Sequence, residues 1–562
     1  MKRPVIIHSI LFLVVLGVWL LVVSESGAAP EITAVEPEAA RPGDLIVIHG
    51  ENFGDSRQRG RVRISGRDPR LQDYESWTDE RISVRVPEDV SSGLVYVTTG
   101  SGRSNGALFR NRNTTPEVDE DSSLGLPVIS TVSPERPAVG DILTIEGDHF
   151  GNIRGDSAVL FRRRRPEGAR VLARHEEWIT PADEGPAYVS WSDTLIRVRV
   201  PEGVAEGALR VRTDRGPSEE RQIAIDRAAG TLRFTSPRNV ALQHEIRVSL
   251  SDGAESPPER IYFWAPRLES SPSQRRVQQL TRQGLRPVLS AGPLELHRLT
   301  APFGDQRSWR VRVTTLLDVY AVSTEVNTVR LRTRYDTEDA FVAEYLRTSP
   351  ELPVGNQRIR SLGLQIGRIG GDPYKQARTL FDLLAATLRP VEEIGNIGAL
   401  EGLDRGEGNS FTYAAVYAAT LRANQIPARI LAGQLLPDEV VGESSIVSAS
   451  SGDSVSGGVR PEARRHYWSE FYLYGLGWVP VDVALGDGLY GAEGGASRYF
   501  AGHPADRVAY SRGVLDTRAI VPDSERIAVP EMYFLADHHE EVVGDPRSYD
   551  IRWRNVRFLG QY

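Results

Sequence analysis

Three residues stand in sequence settings that suit acyl chemistry. Ser410 lies in Gly408-Asn409-Ser410-Phe411-Thr412-Tyr413-Ala414, where a helix is expected to begin. Ala414, Tyr417, Ala418 and Leu421 form its apolar stripe to about Ala423, and Pro427 stops it. A helix N-terminus carries unpaired N–H groups and partial positive charge. A nucleophile placed there is stabilised as its anion, and the same N–H groups can face a developing oxyanion. Downstream, His466 opens His466-Tyr467-Trp468-Ser469-Glu470-Phe471-Tyr472, and Asp482 closes Gly477-Trp478-Val479-Pro480-Val481-Asp482. An imidazole on a neighbouring strand serves as general base, and a carboxylate on the next strand fixes its tautomer and orientation. The turn Gly475-Leu476-Gly477 puts both in one hairpin, but far apart along it.

The elements that must position these residues begin at Asp372-Pro373, a helix N-cap and first-turn pair followed by Ala377, Leu380, Phe381 and Leu384 at helical spacing. Strands are expected at Ala428 to Leu435, His466 to Leu473 and Trp478 to Val483, with a Gly- and Ser-rich loop from Pro437 to Arg460. This order, with Leu421 to Arg429, Arg498-Tyr499-Phe500 and Asp506-Arg507-Val508, resembles transglutaminase-like domains over about residues 340–515. The resemblance implies a papain-like α+β fold, convergence of Ser410, His466 and Asp482, and a cleft lined by Trp468 and Trp478. Packing in the hairpin core explains those tryptophans equally well.

That family carries a cysteine nucleophile where this chain has Ser410. A thiol can rest as a thiolate beside an imidazolium, whereas a hydroxyl must lose its proton during attack. Ser410 is thus a working nucleophile, the relic of one in a domain kept for binding, or an N-cap serine. A catalytically inactive peptide- or protein-binding module is the preferred reading. The alternative is a serine-dependent amide or peptide hydrolase, or acyltransferase, using Ser410, His466 and Asp482. In either case the serine oxygen and a histidine nitrogen are expected within hydrogen-bonding reach, roughly 2.6–3.2 Å. Cross-linking through its own lysines is disfavoured, since Lys2 and Lys375 are the only two.

Upstream, two segments repeat each other. Leu45-Ile46-Val47-Ile48 then Gly50-Glu51-Asn52-Phe53-Gly54 matches Ile142-Leu143-Thr144-Ile145 then Gly147-Asp148-His149-Phe150-Gly151. Trp77, Ile82, Val84, Val86 and Pro87 match Trp191, Ile196, Val198, Val200 and Pro201. Alternating apolar residues mark half-buried strands. The pair resembles IPT/TIG immunoglobulin-like β-sandwiches, at about residues 30–110 and 126–226. A polar linker at Asn111 to Leu124 separates them. Residues 231–335 read as a further β-rich module, with strands at His244 to Leu250, Arg260 to Trp264 and Trp309 to Val313. The fold class is therefore N-terminal all-β sandwiches followed by an α+β papain-like domain, with an extension at 516–562. Whether that extension closes the cleft or packs behind it is open.

The N-terminus, residues 1–29, reads as a signal peptide or a membrane anchor. Lys2 and Arg3 precede an apolar run from Val5 to Val23, followed by small residues at Ser26 to Ala29. Export to the periplasm or cell surface, or anchoring to the inner membrane through residues 5–23, is the expectation. With no cysteine, disulfides and thiolate zinc sites are excluded. A net charge of -8 gives no general attraction to nucleic acid. The expected partner is an envelope peptide or protein. No cofactor or metal is required; Asp537-His538-His539-Glu540-Glu541 reads as a polar surface segment. The basic run Arg162 to Arg165 reads as a solvated loop, the alternative being a site for an anionic polymer.

Overall fold

The structure, a computed structural model, describes residues 28–111, 125–166, 177–181, 187–250, 258–437, 464–513 and 539–561, apart from a few short internal stretches. The leader, most of the linker at 112–124 and most of the Gly/Ser-rich loop lie outside the described residues. Among the described residues no helix is long and apolar enough to cross a membrane. The chain divides into two compact units, 1–124 and 125–562.

The first unit is a β-sandwich of one four-stranded and one five-stranded sheet. Alternation does the sorting: Ile46 and Ile48 point inward from Leu45–Glu51, as Val95 and Val97 do from Gly93–Thr99. Gly50 is required by its neighbours, since a Cβ there would lie 2.0 Å from the Glu31 carbonyl oxygen. The second unit opens with the same design. A Cβ at Gly147 would likewise lie 1.9 Å from the Val128 carbonyl oxygen. Trp77 Nε1 donates to the Phe53 carbonyl at 3.0 Å, and Trp191 Nε1 to that of Phe150 at 3.1 Å. The sequence repeat is thus a repeat of strand order and of hydrogen bonds.

In the second sandwich the basic run is structural. Arg162 pairs with Glu177 at 3.1 Å, Arg163 donates to the Trp178 carbonyl at 3.0 Å, and Arg164 donates to the Leu232 carbonyl at 3.1 Å. These arginines hold chain segments together, which the expected solvated loop did not anticipate.

Next come two long strands, Gly230–Leu250 and Ser308–Val326, paired over nearly their whole length. With Arg260–Pro266 and Leu294–Thr300 they build a third sandwich. The C-terminal extension belongs to it: His539–Val543 pairs with Arg260–Pro266, and Tyr549–Gln561 with Gly230–Leu250. The acidic and histidine-rich segment at 537–541 falls partly on that strand and partly outside the described residues. Among the described residues no group of three or more His, Cys, Asp or Glu could hold a metal.

The α+β domain packs helices against a four-stranded sheet of Gly477–Val481, Arg464–Leu473, Ala428–Leu435 and Arg507–Arg512, in that order. The helix Pro373–Thr387 starts as expected, with Asp372 accepting the Lys375 N–H at 3.0 Å. The helix Ser410–Ala423 is buried from Ser410 to Arg422. A helix apolar on all sides belongs in a core, and this one is the axis of the domain's hydrophobic cluster.

This domain is joined to the second sandwich. Arg199, buried, donates to both oxygens of Asp339 at 2.7 and 2.6 Å and to the Gly140 carbonyl at 2.7 Å. Its guanidinium also lies over the Phe341 ring at 4.6 Å. Glu202 accepts the Trp478 N–H at 3.0 Å, and Gly475 N–H donates to the Val139 carbonyl at 2.8 Å. Breaking a buried ion pair strands a charge, which costs about 3 kcal/mol. Arg199→Met should therefore lower the urea midpoint of the second unit by a corresponding amount, measured by tryptophan fluorescence. Arg63→Met, which breaks an exposed pair in the first unit, should leave it unchanged.

Candidate active site

Ser410 is the first helical residue, not the cap. The cap is Asn409, whose side-chain oxygen accepts the Thr412 N–H at 3.2 Å. The N-cap reading of the serine is thereby corrected. The side chain before it already satisfies an open helix amide, so Ser410 is free of that duty.

The hairpin register brings the other two residues together. Ser469 pairs with Val481, so Asp482 falls opposite Trp468, diagonal to His466 on the same face. His466 Nε2 lies 2.8 Å from Asp482 Oδ2. Both side chains are buried. The same oxygen accepts from Arg507 Nη1 at 2.7 Å, while Oδ1 accepts the Leu485 N–H at 3.1 Å. Burial acts to raise the Asp482 carboxyl. His466 and Arg507, by charge, and the hydrogen bonds from His466 and Leu485, outweigh it and hold the group well below the usual carboxylate range. An ionised carboxylate only accepts, so Nε2 carries a proton toward Asp482.

Nδ1 is buried and has no hydrogen-bond partner among the described residues. The serine hydroxyl does not supply one. Ser410 Oγ accepts the backbone N–H of Tyr467 at 3.3 Å. The nucleophile position thus sits against the histidine's strand, joined to the residue next to the imidazole and not to the imidazole itself. Nearby, Ser469 Oγ donates to the Ala414 carbonyl at 3.0 Å and fixes that strand to the helix.

The two tryptophans part company. Trp468 stacks beside His466, with ring centres 6.3 Å apart, and its own ring lies 5.2 Å from the Arg507 guanidinium. Trp478 belongs to a different cluster with Phe341, Tyr345 and Tyr472, at the seam with the second sandwich. It is only 7% exposed, so the expected cleft-lining role falls to packing there. Arg507 and Tyr490, whose ring lies 6.1 Å from His466, were missed as site residues. Arg507 opens the strand Arg507–Arg512, which is buried continuously from Arg507 to Ser511, and no alternation in it marked the arginine.

Residues 360–483 match the model of the transglutaminase-like superfamily, and residues 30–111 match that of the IPT/TIG domain. The chain therefore carries a transglutaminase-like domain behind all-β sandwiches. One curated protein, a cyclomaltodextrin glucanotransferase of Paenibacillus macerans, is 29% identical over 100 residues, which is 17% of this chain and 13% of that enzyme's length. A solved structure of a Cytophaga hutchinsonii protein described as a cysteine protease aligns over 58% of this chain and 92% of its own, with 11% identity and a TM-score of 0.34. The Bacteroides uniformis protein SGBP-B, from a xyloglucan utilization locus, aligns over 52% of this chain and 99% of its own, with 12% identity and a TM-score of 0.14.

Acid should act on this region in two stages. His503, pushed down to about 4 by burial first and by Arg507 second, must stay neutral when folded. Stability then falls as pH drops from about 6.5 toward 4, where the unfolded imidazole binds a proton that the folded one does not. Asp482 contributes stability that is complete above about 3.9 and is lost as pH falls below that value. Asp482→Asn should cost about 3 kcal/mol at neutral pH, because Arg507 and His466 lose their shared anion. It should also flatten the lower stage, as read by urea unfolding across acidic pH.

Proposed function

We propose that this chain is an exported cell-envelope protein whose transglutaminase-like domain binds a peptide segment and does not hydrolyse it. One observation carries the reading: the Ser410 hydroxyl takes the Tyr467 amide, and the His466 ring has no hydroxyl on Nδ1. A serine is activated by handing its proton to the ring during attack, and that hydrogen bond is the one not made. The remaining groups suit an amide ligand. The start of the Ser410–Ala423 helix turns its partial positive charge toward a ligand carbonyl, beside the His466 ring. Export rests on the basic and apolar leader.

A second reading, a serine-dependent hydrolase or acyltransferase, is favoured by the intact 2.8 Å contact between His466 and Asp482. A fluorophosphonate probe on the whole folded chain separates the two. The expected result is no adduct by mass spectrometry. An adduct on Ser410 that disappears in His466→Ala establishes the hydrolase instead. Peptides selected from a random display library on the unaltered chain should bind His466→Ala about tenfold more weakly, the effect of one lost hydrogen bond.

A further inference from the structure

We propose that the third sandwich holds a second binding site, a polar cavity between its two sheets that takes a neutral, hydroxyl-rich ligand such as a short oligosaccharide. The inference stands apart from the Ser410 groove and uses none of its residues.

The sheets of this sandwich do not close on one continuous apolar core. Along Gly230–Leu250 the inward residues are Val240, Leu242, His244, Ile246, Val248 and Leu250. Val240 and Leu242 belong to one hydrophobic cluster, while Ile246, Val248 and Leu250 belong to another. The histidine marks the break. Here lies a cavity of about 750 Å³, lined from both sheets. One sheet supplies His244, Gln279, Arg282 and Thr315, and the other supplies Ser290 and Glu295. Val313 pairs with His244 on one side and with Arg282 on the other, so these three form a row across the sheet. Gln279 and Ser290 are exposed, and the cavity is reached from solvent beside them.

The charges in the lining cancel. Arg282 Nη2 donates to the two oxygens of Glu295 at 2.5 and 2.7 Å, and Arg267 pairs with Glu269 at 2.9 Å. His244 is pushed down to about 4 by burial, so its ring is neutral at pH 7. A charged ligand would have to compete for ions that are already matched. An apolar ligand fails for a different reason. Arg282 Nη1 is buried and has no hydrogen-bond partner among the described residues. Hydrocarbon packed against that donor, the Gln279 amide and the Thr315 hydroxyl would leave them unsatisfied. A ligand hydroxyl both donates and accepts, so it answers a guanidinium N–H, an amide and a neutral imidazole alike. Leu268, Val277 and Val313 line the same space and suit the C–H faces of a sugar ring. The size also fits, since small-molecule sites occupy about 300–1,000 Å³.

Saturation-transfer difference NMR on the whole unaltered chain tests this. The probes are the neutral sugars maltotriose, cellotriose, xylotriose and mannotriose, with trigalacturonic acid as an anionic control. Transfer to the ring protons of a neutral sugar is expected, with weaker transfer to the acid. Gln279→Leu, a change at an exposed position, should raise the Kd of the bound sugar about tenfold, the effect of one lost hydrogen bond. Ser290→Trp, which adds bulk at the exposed rim, should abolish binding, with folding of both variants checked by circular dichroism. His466→Ala should leave the Kd unchanged. Absence of transfer to every neutral sugar, equal binding of the acid, or a Kd unmoved in folded Q279L and S290W overturns the inference. Loss of sugar binding in H466A would place the sugar in the Ser410 groove and overturn it too, whereas failure of peptide binding there touches only the reading of that groove.

Discussion

A single carboxylate oxygen organises the site. Asp482 Oδ2 receives an imidazole N–H and a guanidinium N–H, while Oδ1 caps the short helix that follows. Burying a carboxylate is costly unless every lone pair finds a donor, and here three donors from separate segments converge on it. The consequences run outward. The carboxylate stays ionised, so His466 Nε2 is held as its donor. Nδ1 is buried and has no hydrogen-bond partner among the described residues. Ser410, on the neighbouring helix, is engaged by a backbone amide. That one anion ties the histidine, the arginine and the short helix to a single point.

The scaffold keeps that point rigid. The helix that carries Ser410 is buried along its length and tied to the histidine's strand through Ser469. The strand that carries Arg507 lies on the opposite edge of the same sheet from Asp482's strand, and its arginine reaches across beneath Trp468. Behind the sheet, the aromatic cluster around Trp478 and the Arg199–Asp339 pair lock the second sandwich to the domain. That sandwich is therefore part of the site's support, and the repeat it shares with the first conceals a different task.

Much of this was legible in the sequence. The helix Ser410–Ala423 and the strand Ala428–Leu435 appear where periodicity and Pro427 put them. The paired Gly-x-x-Phe-Gly segments marked the two sandwiches, because a Cβ at Gly50 or Gly147 would strike a neighbouring carbonyl. The meeting of His466 with Asp482 was implied by the resemblance alone. The hairpin register supplies the reason, since it sets the two residues diagonally on one face. What escaped was long-range. Asn409 took the cap that Ser410 seemed suited for in sequence, since both residue types cap helices equally well. Trp478 packs at the sandwich seam and not beside His466, a choice made by Glu202 and Phe341 from distant segments. Arg507 gave no sign of its partner, because an arginine in a strand is ordinarily solvated, and only the third dimension supplies Asp482. The C-terminal strands joined a sandwich that begins some three hundred residues earlier, a pairing no local pattern encodes.

The most direct measurement is the protonation of the His466 ring nitrogens, read by long-range proton–nitrogen correlation NMR on the folded chain at neutral pH. The account expects an Nε2 proton held toward Asp482 and no hydrogen bond between Nδ1 and the serine. A proton shared between Nδ1 and the Ser410 oxygen would contradict it.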